Sequence, residues 1–203
     1  DDQSIYLQVT RGADDKRDHA FPPAAVPATV CAFASPLGTT PAAVRQAGVA
    51  AITLADTRWS RCDLKVVSLL ANVLARQQAV EAGCAEALLL RDGYLKEGAA
   101  SNIFVVTDGV LLAPPKGHLM LPGITYDVVL ELAARHGLPT GVREIAEAEL
   151  RTADEVWMTS STKEILAITT LDGQPVGDGR PGPVGQRMWA WYQDFKNAVM
   201  RHG

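Results

Sequence analysis

The chain has 203 residues, 47% of them hydrophobic and 21% charged, which is the composition of an ordinary globular protein. Nineteen basic and twenty-three acidic side chains give a net charge of −4 without any basic block, which argues against a nucleic acid partner. No apolar run approaches the roughly 18 residues of a membrane span, and no signal peptide is recognisable.

The first quarter of the chain predicts strands separated by a loop and a linker. Alternating, β-rich residues predict strands at 5–12 and 28–35, and the charged, proline-containing stretch between them predicts a loop. Residues 36–48 are rich in Pro, Gly and Thr, which is typical of a linker. A further strand is expected at 49–61.

A helix and two hairpins are predicted next. Apolar residues at helical spacing predict a helix that starts at Lys65 and stops at Gly83. Asp-Gly pairs at 92–93 and 108–109 predict the turns of two hairpins, because both residues tolerate the backbone conformation that such turns need.

The last part of the chain predicts a helix, a third hairpin and a closing helix. We expect Thr125 to cap a helix that ends at Gly137. A strand at 155–161 precedes a hairpin that turns at 172–173, and Pro183 opens the closing helix. Strands in hairpins beside helices favour an α+β fold with antiparallel or mixed sheets.

Lys65 and Glu97 are candidates for chemistry. A lysine at a helix start faces the positive end of the helix dipole, which favours the neutral amine that attacks an aldehyde. Glu97 follows a predicted strand and precedes Gly98, Ala99 and Ala100, which are small enough to let a flat ring approach. Taken alone, each residue also fits an exposed surface position.

Two short stretches of small and hydroxyl residues are candidate phosphate cradles. Residues 121–125 predict a tight turn into a helix, where the N–H groups of Ile124 and Thr125 would point at an anion. Residues 159–162 place backbone N–H groups and hydroxyls directly after a strand. Both stretches are also common capping or turn motifs, and the two together could converge on one phosphate.

Arg17 and His19 are candidates for binding a carboxylate. They lie two residues apart, so their side chains share a side in an extended segment. Arginine binds a carboxylate through two parallel hydrogen bonds. The alternative is an exposed charged loop.

In this order, the motifs resemble those of the class IV, or fold type IV, pyridoxal phosphate aminotransferases. The resemblance is carried by residues 58–106, 121–133 and 156–183. That family includes D-amino acid aminotransferases, branched-chain aminotransferases and aminodeoxychorismate lyases. The resemblance implies an α+β, D-amino acid aminotransferase-like fold and pyridoxal 5'-phosphate as the cofactor.

The resemblance also assigns roles to individual residues. Lys65 matches the lysine that forms a Schiff base with the cofactor, and Glu97 matches the acid at the pyridine nitrogen. Seven further positions match residues at or near the cofactor: Arg58, Ser101, Asn102, Ile124, Thr125, Ser160 and Ser161. Ser101 and Asn102 match the loop beneath the ring, and the last four match the two phosphate contacts, with Thr162 as an alternative in the second.

The front of the chain favours one branch of the family. Residues 5–12, followed by Arg17 and His19, are similar to the D-amino acid aminotransferases, in which that pair binds the substrate carboxylate. The loop here holds one residue more than that pattern. We therefore expect a transaminase that moves an amino group from a D-amino acid such as D-alanine to a 2-oxo acid. The alternatives are an aminodeoxychorismate lyase that releases pyruvate, a branched-chain L-amino acid aminotransferase, and a truncated, cofactor-free binding domain.

The resemblance implies a domain organisation and an assembly as well. Residues 1–40 match the end of the family's small N-terminal domain and 41–203 match its large cofactor-binding domain, so we expect a leading segment to be missing. The implied assembly is a homodimer whose partners are small-molecule amino and oxo acids, without nucleic acid, membrane or metal. Three cysteines lack metal-ligand spacing and indicate free thiols in a reducing cytoplasm: Cys31, Cys62 and Cys84.

Overall fold

The computed structural model describes residues 2–201, so the predicted domain ends at residues 1 and 203 lie outside it. Contacts within the chain divide it into one unit at residues 1–39 and another at residues 40–203. Among residues 2–201, no helix is both long enough and apolar enough to cross a bilayer.

The described part of the first unit contains two antiparallel strands, β1 (Gln3–Thr10) and β2 (Thr29–Pro36), which confirms both predicted strands. Tyr6 and Phe33 face each other in this pair, and their rings stack with centroids 5.0 Å apart. The loop between the strands carries Arg17 and His19, and both side chains are exposed.

The described part of the second unit contains nine strands and five helices. The strands are β3 (Val49–Ala55), β4 (Glu86–Arg91), β5 (Tyr94–Gly98), β6 (Asn102–Thr107), β7 (Val110–Ala113), β8 (Thr140–Val142), β9 (Glu155–Ser160), β10 (Glu164–Leu171) and β11 (Gln174–Pro175). The helices are α1 (Ala42–Ala47), α2 (Leu70–Glu81), α3 (Ile124–Arg135), α4 (Glu147–Arg151) and α5 (Pro183–Phe195), the last continued by a π-helical segment, Lys196–Met200.

These nine strands form one mixed sheet in the order β5-β4-β3-β10-β9-β6-β7-β8, with β11 beside β10. The pairs β3–β4, β3–β10 and β7–β8 are parallel and the others antiparallel. The sheet curls so that its two end strands, β5 and β8, approach each other. Leu95 of β5 donates its N–H to the oxygen of Ile145, three residues after β8, at 2.9 Å. The structure thus confirms the predicted α+β class with a mixed sheet.

All three predicted hairpins turn at their Asp-Gly pairs. In the β4–β5 turn, Asp92 has φ 55° and Gly93 has φ 80°. Two consecutive residues with positive φ give a turn whose twist matches that of the flanking strands, and aspartate and glycine adopt this conformation most readily. The hairpins β6–β7 and β10–β11 turn in the same way.

Both faces of the sheet are covered by apolar packing. Along β6, Ile103 and Val105 join one buried cluster, whereas Phe104 and Val106 join the cluster that also contains residues of α3 and α5. Because successive side chains of a strand point to opposite faces, this alternation shows that β6 is buried on both sides. The strand therefore holds its first residue, Asn102, in a fixed place.

The predicted helix at Lys65 begins later than expected. Helix α2 starts at Leu70, and Lys65 lies five residues before it in an irregular segment. The apolar spacing extends back to Val66, but Val66 and Val67 are β-branched and favour helix less than the alanine-rich stretch that follows. The field of a helix dipole falls off beyond the first turn, so the dipole argument for Lys65 was wrong.

Other local predictions were also corrected. The N-cap of α3 is Gly123, and Thr125 lies inside the first turn of that helix. The predicted linker 36–48 contains the short helix α1. The short elements β8 and α4 were missed, because three and five residues are too few to show a clear periodicity.

Candidate active site

A cavity of about 550 Å³ lies within the second unit, beside the ends of several strands. All nine residues that the family resemblance assigned to the cofactor line it: Arg58, Lys65, Glu97, Ser101, Asn102, Ile124, Thr125, Ser160 and Ser161. Thr162, the alternative in the second cradle, is not among the described residues that line it. Arg17 and His19 belong to the first unit.

Lys65 reaches the cavity from the segment between β3 and α2. Three residues earlier, buried Cys62 anchors this segment, because its N–H donates to the His118 oxygen at 2.7 Å and its thiol contacts the Trp59 oxygen at 3.2 Å. Lys65 itself is solvent-exposed at the cavity wall. Its amine is therefore accessible to a small molecule in the cavity.

Glu97 lies near the end of β5 and is 4% exposed. One carboxylate oxygen, Oε1, accepts a hydrogen bond from Nη1 of Arg58, and both oxygens contact the Leu121 N–H at 3.2 Å. The Asn102 amide lies 3.4 Å from Oε2. Burial raises the pKa of Glu97 from 4.5 to about 7, while the charge of Arg58 opposes this rise.

Arg58 joins Glu97 to a second buried carboxylate. Its Nε and Nη2 donate to the two oxygens of Asp56 at 2.9 and 3.0 Å, a bidentate pair. Burial lowers the pKa of Arg58, but the hydrogen bonds to Asp56 and the charge of Glu97 raise it above its ordinary value, so Arg58 remains a cation. The sequence placed Arg58 only near the cofactor and missed both contacts.

The cavity wall between β5 and β6 is a tight turn. The Gly98 N–H donates to the Ser101 oxygen at 2.7 Å, and a Cβ at Gly98 would lie 2.3 Å from the Ser101 hydroxyl. That hydroxyl donates to Oε2 of fully buried Glu86 at 2.7 Å, and Asn72 of α2 donates to the Ala99 oxygen at 2.9 Å. Sequence reasoning missed both supports, although a lone glutamate within an apolar strand was a usable signal for Glu86.

The two predicted cradles flank Asn102. Its side-chain amide donates to the Leu121 oxygen at 2.9 Å, and a Cβ at Gly123 would lie 2.4 Å from its side-chain oxygen. Asn102 also pairs in register with Thr159, which brings the end of β9 to the same place. The start of α3 and the end of β9 therefore meet at one side of the cavity.

Each cradle offers hydrogen-bond donors to an anion. Ile124 and Thr125 are the first two residues of α3, so their N–H groups have no partner within the helix. No side chain caps this end of α3. Ser160 and Ser161 add backbone N–H groups and hydroxyls at the end of β9. The Ser160 hydroxyl accepts from the Lys163 N–H at 3.1 Å and lies 3.4 Å from the Thr162 hydroxyl.

The donor set fits pyridoxal phosphate. The cofactor needs an amine for its aldehyde, an acid for its ring nitrogen and N–H groups for its phosphate, and the cavity wall presents all three. A volume of about 550 Å³ is also within the usual range for a cofactor site.

Comparison with known proteins identifies relatives of this chain. The family described as amino-transferase class IV matches residues 1–171. The chain is similar to D-alanine aminotransferases of Bacillus licheniformis, at 42% identity over 90% of this chain and 64% of that protein, and of Staphylococcus epidermidis (strain RP62A), at 37% over 98% and 68%. The chain thus spans about two thirds of the length of these curated relatives.

The solved structures that it resembles include a T.th. branched-chain amino acid aminotransferase with pyridoxamine 5'-phosphate. That match has a TM-score of 0.84 and 32% identity, and covers 95% of this chain and 64% of the other. The branched-chain aminotransferase of Thermoproteus uzoniensis with norvaline gives a TM-score of 0.78 at 28% identity, over 94% of this chain and 64% of that one. The predicted fold type IV architecture is confirmed, and the chain belongs to the amino-transferase class IV family.

Proposed function

We propose that this protein is a pyridoxal-phosphate-dependent aminotransferase that moves an amino group from a D-amino acid, such as D-alanine, to a 2-oxo acid. The observation that carries the proposal is the single cavity into which Lys65, buried Glu97 and the two cradles converge. The relatives named D-alanine aminotransferase support the D-amino acid substrate.

The cofactor, when bound, supplies an aldehyde that accepts the amino group and a ring that withdraws electrons from the substrate carbon. In the proposed mechanism, the Lys65 amine would hold the cofactor covalently between turnovers. Once released, its amine would take the proton from the substrate Cα as a base and then, as an acid, deliver it to the carbon that had carried the aldehyde. Glu97 holds the proton at the ring nitrogen.

The other cavity residues orient the reactants. The N–H groups of Ile124 and Thr125 and the donors of Ser160 and Ser161 would bind the phosphate, assisted by the dipole of the twelve-residue helix α3. The turn of residues 98–101 forms a wall of small side chains against which a flat ring can lie. Fixed contacts of this kind reduce the entropic cost of bringing the reacting atoms together.

We assign substrate carboxylate binding to Arg17 and His19. Both side chains are exposed on the loop between β1 and β2, and arginine can bind the carboxylate through two hydrogen bonds. The rival substrate is a branched-chain L-amino acid, which is favoured by the likeness to the branched-chain aminotransferases. Arg17 and His19 favour the D-amino acid.

A transamination panel with the full-length protein tests this assignment. We expect transfer from D-alanine and D-glutamate to 2-oxoglutarate or pyruvate, and little from L-alanine, L-glutamate or L-leucine. Arg17→Ala should raise KM for D-alanine by about 10- to 100-fold, as expected for a lost charge-assisted hydrogen bond. Lys16→Ala removes a neighbouring exposed cation and is the matched control, expected to leave KM unchanged.

Other outcomes of the panel point to the rivals. Activity confined to L-leucine and its relatives would overturn the D-amino acid substrate. Pyruvate release from aminodeoxychorismate without amino transfer would indicate a lyase. Purified full-length protein that is colourless and takes up no pyridoxal phosphate would indicate a cofactor-free binding domain.

We also propose that the protein is a homodimer. An apolar surface runs from the Lys65 segment into α2, where Val67, Leu70 and Val73 are exposed by 66%, 72% and 57%. A contiguous apolar patch of this kind marks an interaction site. Leu70→Glu should therefore convert a dimer to a monomer in sedimentation, whereas Gln78→Glu, at an exposed position of the same helix, should not. A wild type that sediments as a monomer would contradict the proposal.

A further inference from the structure

Asp56 is a buried carboxylate that has four donors around it. Its Oδ1 accepts from the backbone N–H and from Nε of Arg58, at 3.0 and 2.9 Å. Its Oδ2 accepts from Nη2 of Arg58 at 3.0 Å and lies 3.2 Å from Nη2 of Arg91. Its side chain has no solvent exposure, and although burial raises the pKa of Asp56, the hydrogen bonds from Arg58 and the charges of Arg58 and Arg91 together hold it below its ordinary value.

These contacts fix the orientation of the Arg58 guanidinium. The edge formed by Nε and Nη2 faces Asp56, and Nη2 also donates to the Leu119 oxygen at 3.2 Å. The two hydrogens of Nη2 are therefore engaged, and Nη1 is the nitrogen that extends to Glu97. Arg91 holds the pair in place, because its Nη2 also donates to the Arg58 oxygen at 2.6 Å.

Glu97 consequently receives one guanidinium hydrogen bond instead of two. That bond goes to Oε1, whereas the contacts of Oε2 are a shared one to the Leu121 N–H at 3.2 Å and a long one to Asn102 at 3.4 Å. Because one of these contacts is shared with Oε1 and the other is long, Oε2 is the oxygen that can best accept a shorter hydrogen bond from a donor in the cavity.

Arginine and carboxylate groups favour the two-bond arrangement whenever both nitrogens are free. If Asp56 did not hold Nη2, Arg58 could present Nη1 and Nη2 together and occupy both oxygens of Glu97. A donor in the cavity would then compete with a buried cation for the same carboxylate.

We propose that Asp56 is a positioning residue that restrains Arg58 and thereby keeps one oxygen of Glu97 available to a protonated ring nitrogen. The inference rests on the proposed function, because pyridoxal phosphate brings that nitrogen. Asp56 acts through Arg58, and of these two residues Arg58 is the one that lines the cavity.

The test compares two ligands that differ at the ring nitrogen. Dissociation constants of pyridoxal phosphate and of its 1-deaza analogue, in which carbon replaces the ring nitrogen, are measured on the full-length apoprotein. Asp56→Asn is expected to weaken pyridoxal phosphate binding by about tenfold or more, as for the loss of a charge-assisted hydrogen bond. Binding of the deaza analogue should change little, because it makes no bond to Glu97.

Asp63→Asn is the matched control. Asp63 forms the same kind of pair with Arg61, two residues away, at 2.9 Å for both bonds, but the Arg61 side chain is 53% exposed. Its removal is expected to leave both dissociation constants unchanged. Equal weakening of both ligands by Asp56→Asn, or no weakening of either, would overturn the proposal.

A second variant covers the case in which Asp56→Asn fails to fold. Asp56→Asn/Arg58→Met removes the competing guanidinium along with its restraint, so its preference for pyridoxal phosphate over the deaza analogue should be close to that of the wild type. A preference well below that of the wild type contradicts the restraint. If the wild type does not prefer pyridoxal phosphate over the deaza analogue, the result counts against the proposed function as well. If the wild type shows the preference and Asp56→Asn retains it, the result counts against the role of Asp56 alone.

Discussion

Lys65→Ala is expected to lower the rate of amino transfer by about 10⁴-fold or more, because one side chain supplies both the covalent attachment and the proton transfer. Lys65 opens to the cavity, and the convergent acid and cradles would remain in place. We therefore expect the variant to bind pyridoxal phosphate without a covalent bond. Stopped-flow assays with D-alanine measure the rate, and intact mass after borohydride reduction detects the covalent bond.

Two controls separate the roles of the lysine. Lys65→Arg keeps the positive charge but cannot bond to the aldehyde, so it should be as inactive as Lys65→Ala. Lys116→Ala removes an exposed lysine that pairs with Asp127, and it should behave as wild type. Full turnover in Lys65→Ala would show that the assignment of Lys65 is wrong.

Glu97→Gln is expected to lower kcat by about 10²- to 10³-fold, the usual cost of removing one preorganised electrostatic group. Glutamine is nearly the same size but carries no charge, so it cannot hold a proton at the ring nitrogen. The absorbance of the bound cofactor across pH provides a second readout, since it should report a ring nitrogen that releases its proton more readily. Unchanged kcat together with an unchanged pH profile of the absorbance would contradict the role of Glu97.

The same substitution should change how stability depends on pH. Because burial raises the pKa of Glu97 from 4.5 to about 7, the folded cofactor-free protein binds this proton more tightly than the unfolded chain does. The free energy of unfolding should therefore fall as pH rises from about 5 to about 8, by on the order of 2 kcal/mol for this group. The free energy of unfolding of Glu97→Gln should lack this dependence on pH, because glutamine does not titrate.

Urea unfolding of both apoproteins at several pH values measures the difference. The wild type should lose stability relative to Glu97→Gln as pH increases, because ionised Glu97 destabilises the cofactor-free protein. Parallel pH profiles would show that the Glu97 proton affinity is the same in the folded and unfolded states. With the cofactor bound, the wild type should instead be the more stable of the two proteins, because a protonated ring nitrogen stabilises the ionised carboxylate.

The hairpins show how far local chemistry determines this fold. An Asp-Gly pair between β-rich segments specifies a turn within a few residues, and all three hairpins form where they were predicted. Position 65 shows the limit, since apolar spacing alone placed the start of α2 five residues too early. Helix ends depend on individual residues and on their packing, which periodicity does not record.

The residues of the candidate cavity show the same division between what the sequence predicted and what only the structure revealed. Lys65, Glu97 and the two cradles were proposed from the sequence alone, because their motifs occur in the order that resembles the class IV aminotransferases. The contact of Arg58 with Glu97 joins residues 39 positions apart, and Glu86 supports Ser101 from 15 positions away. Only the tertiary structure decided these contacts, because the pairing of β3, β4 and β5 brings Arg58, three residues after β3, beside Glu97 of β5, and Ser101, just after β5, beside Glu86 of β4, a consequence of folding that no local pattern encodes.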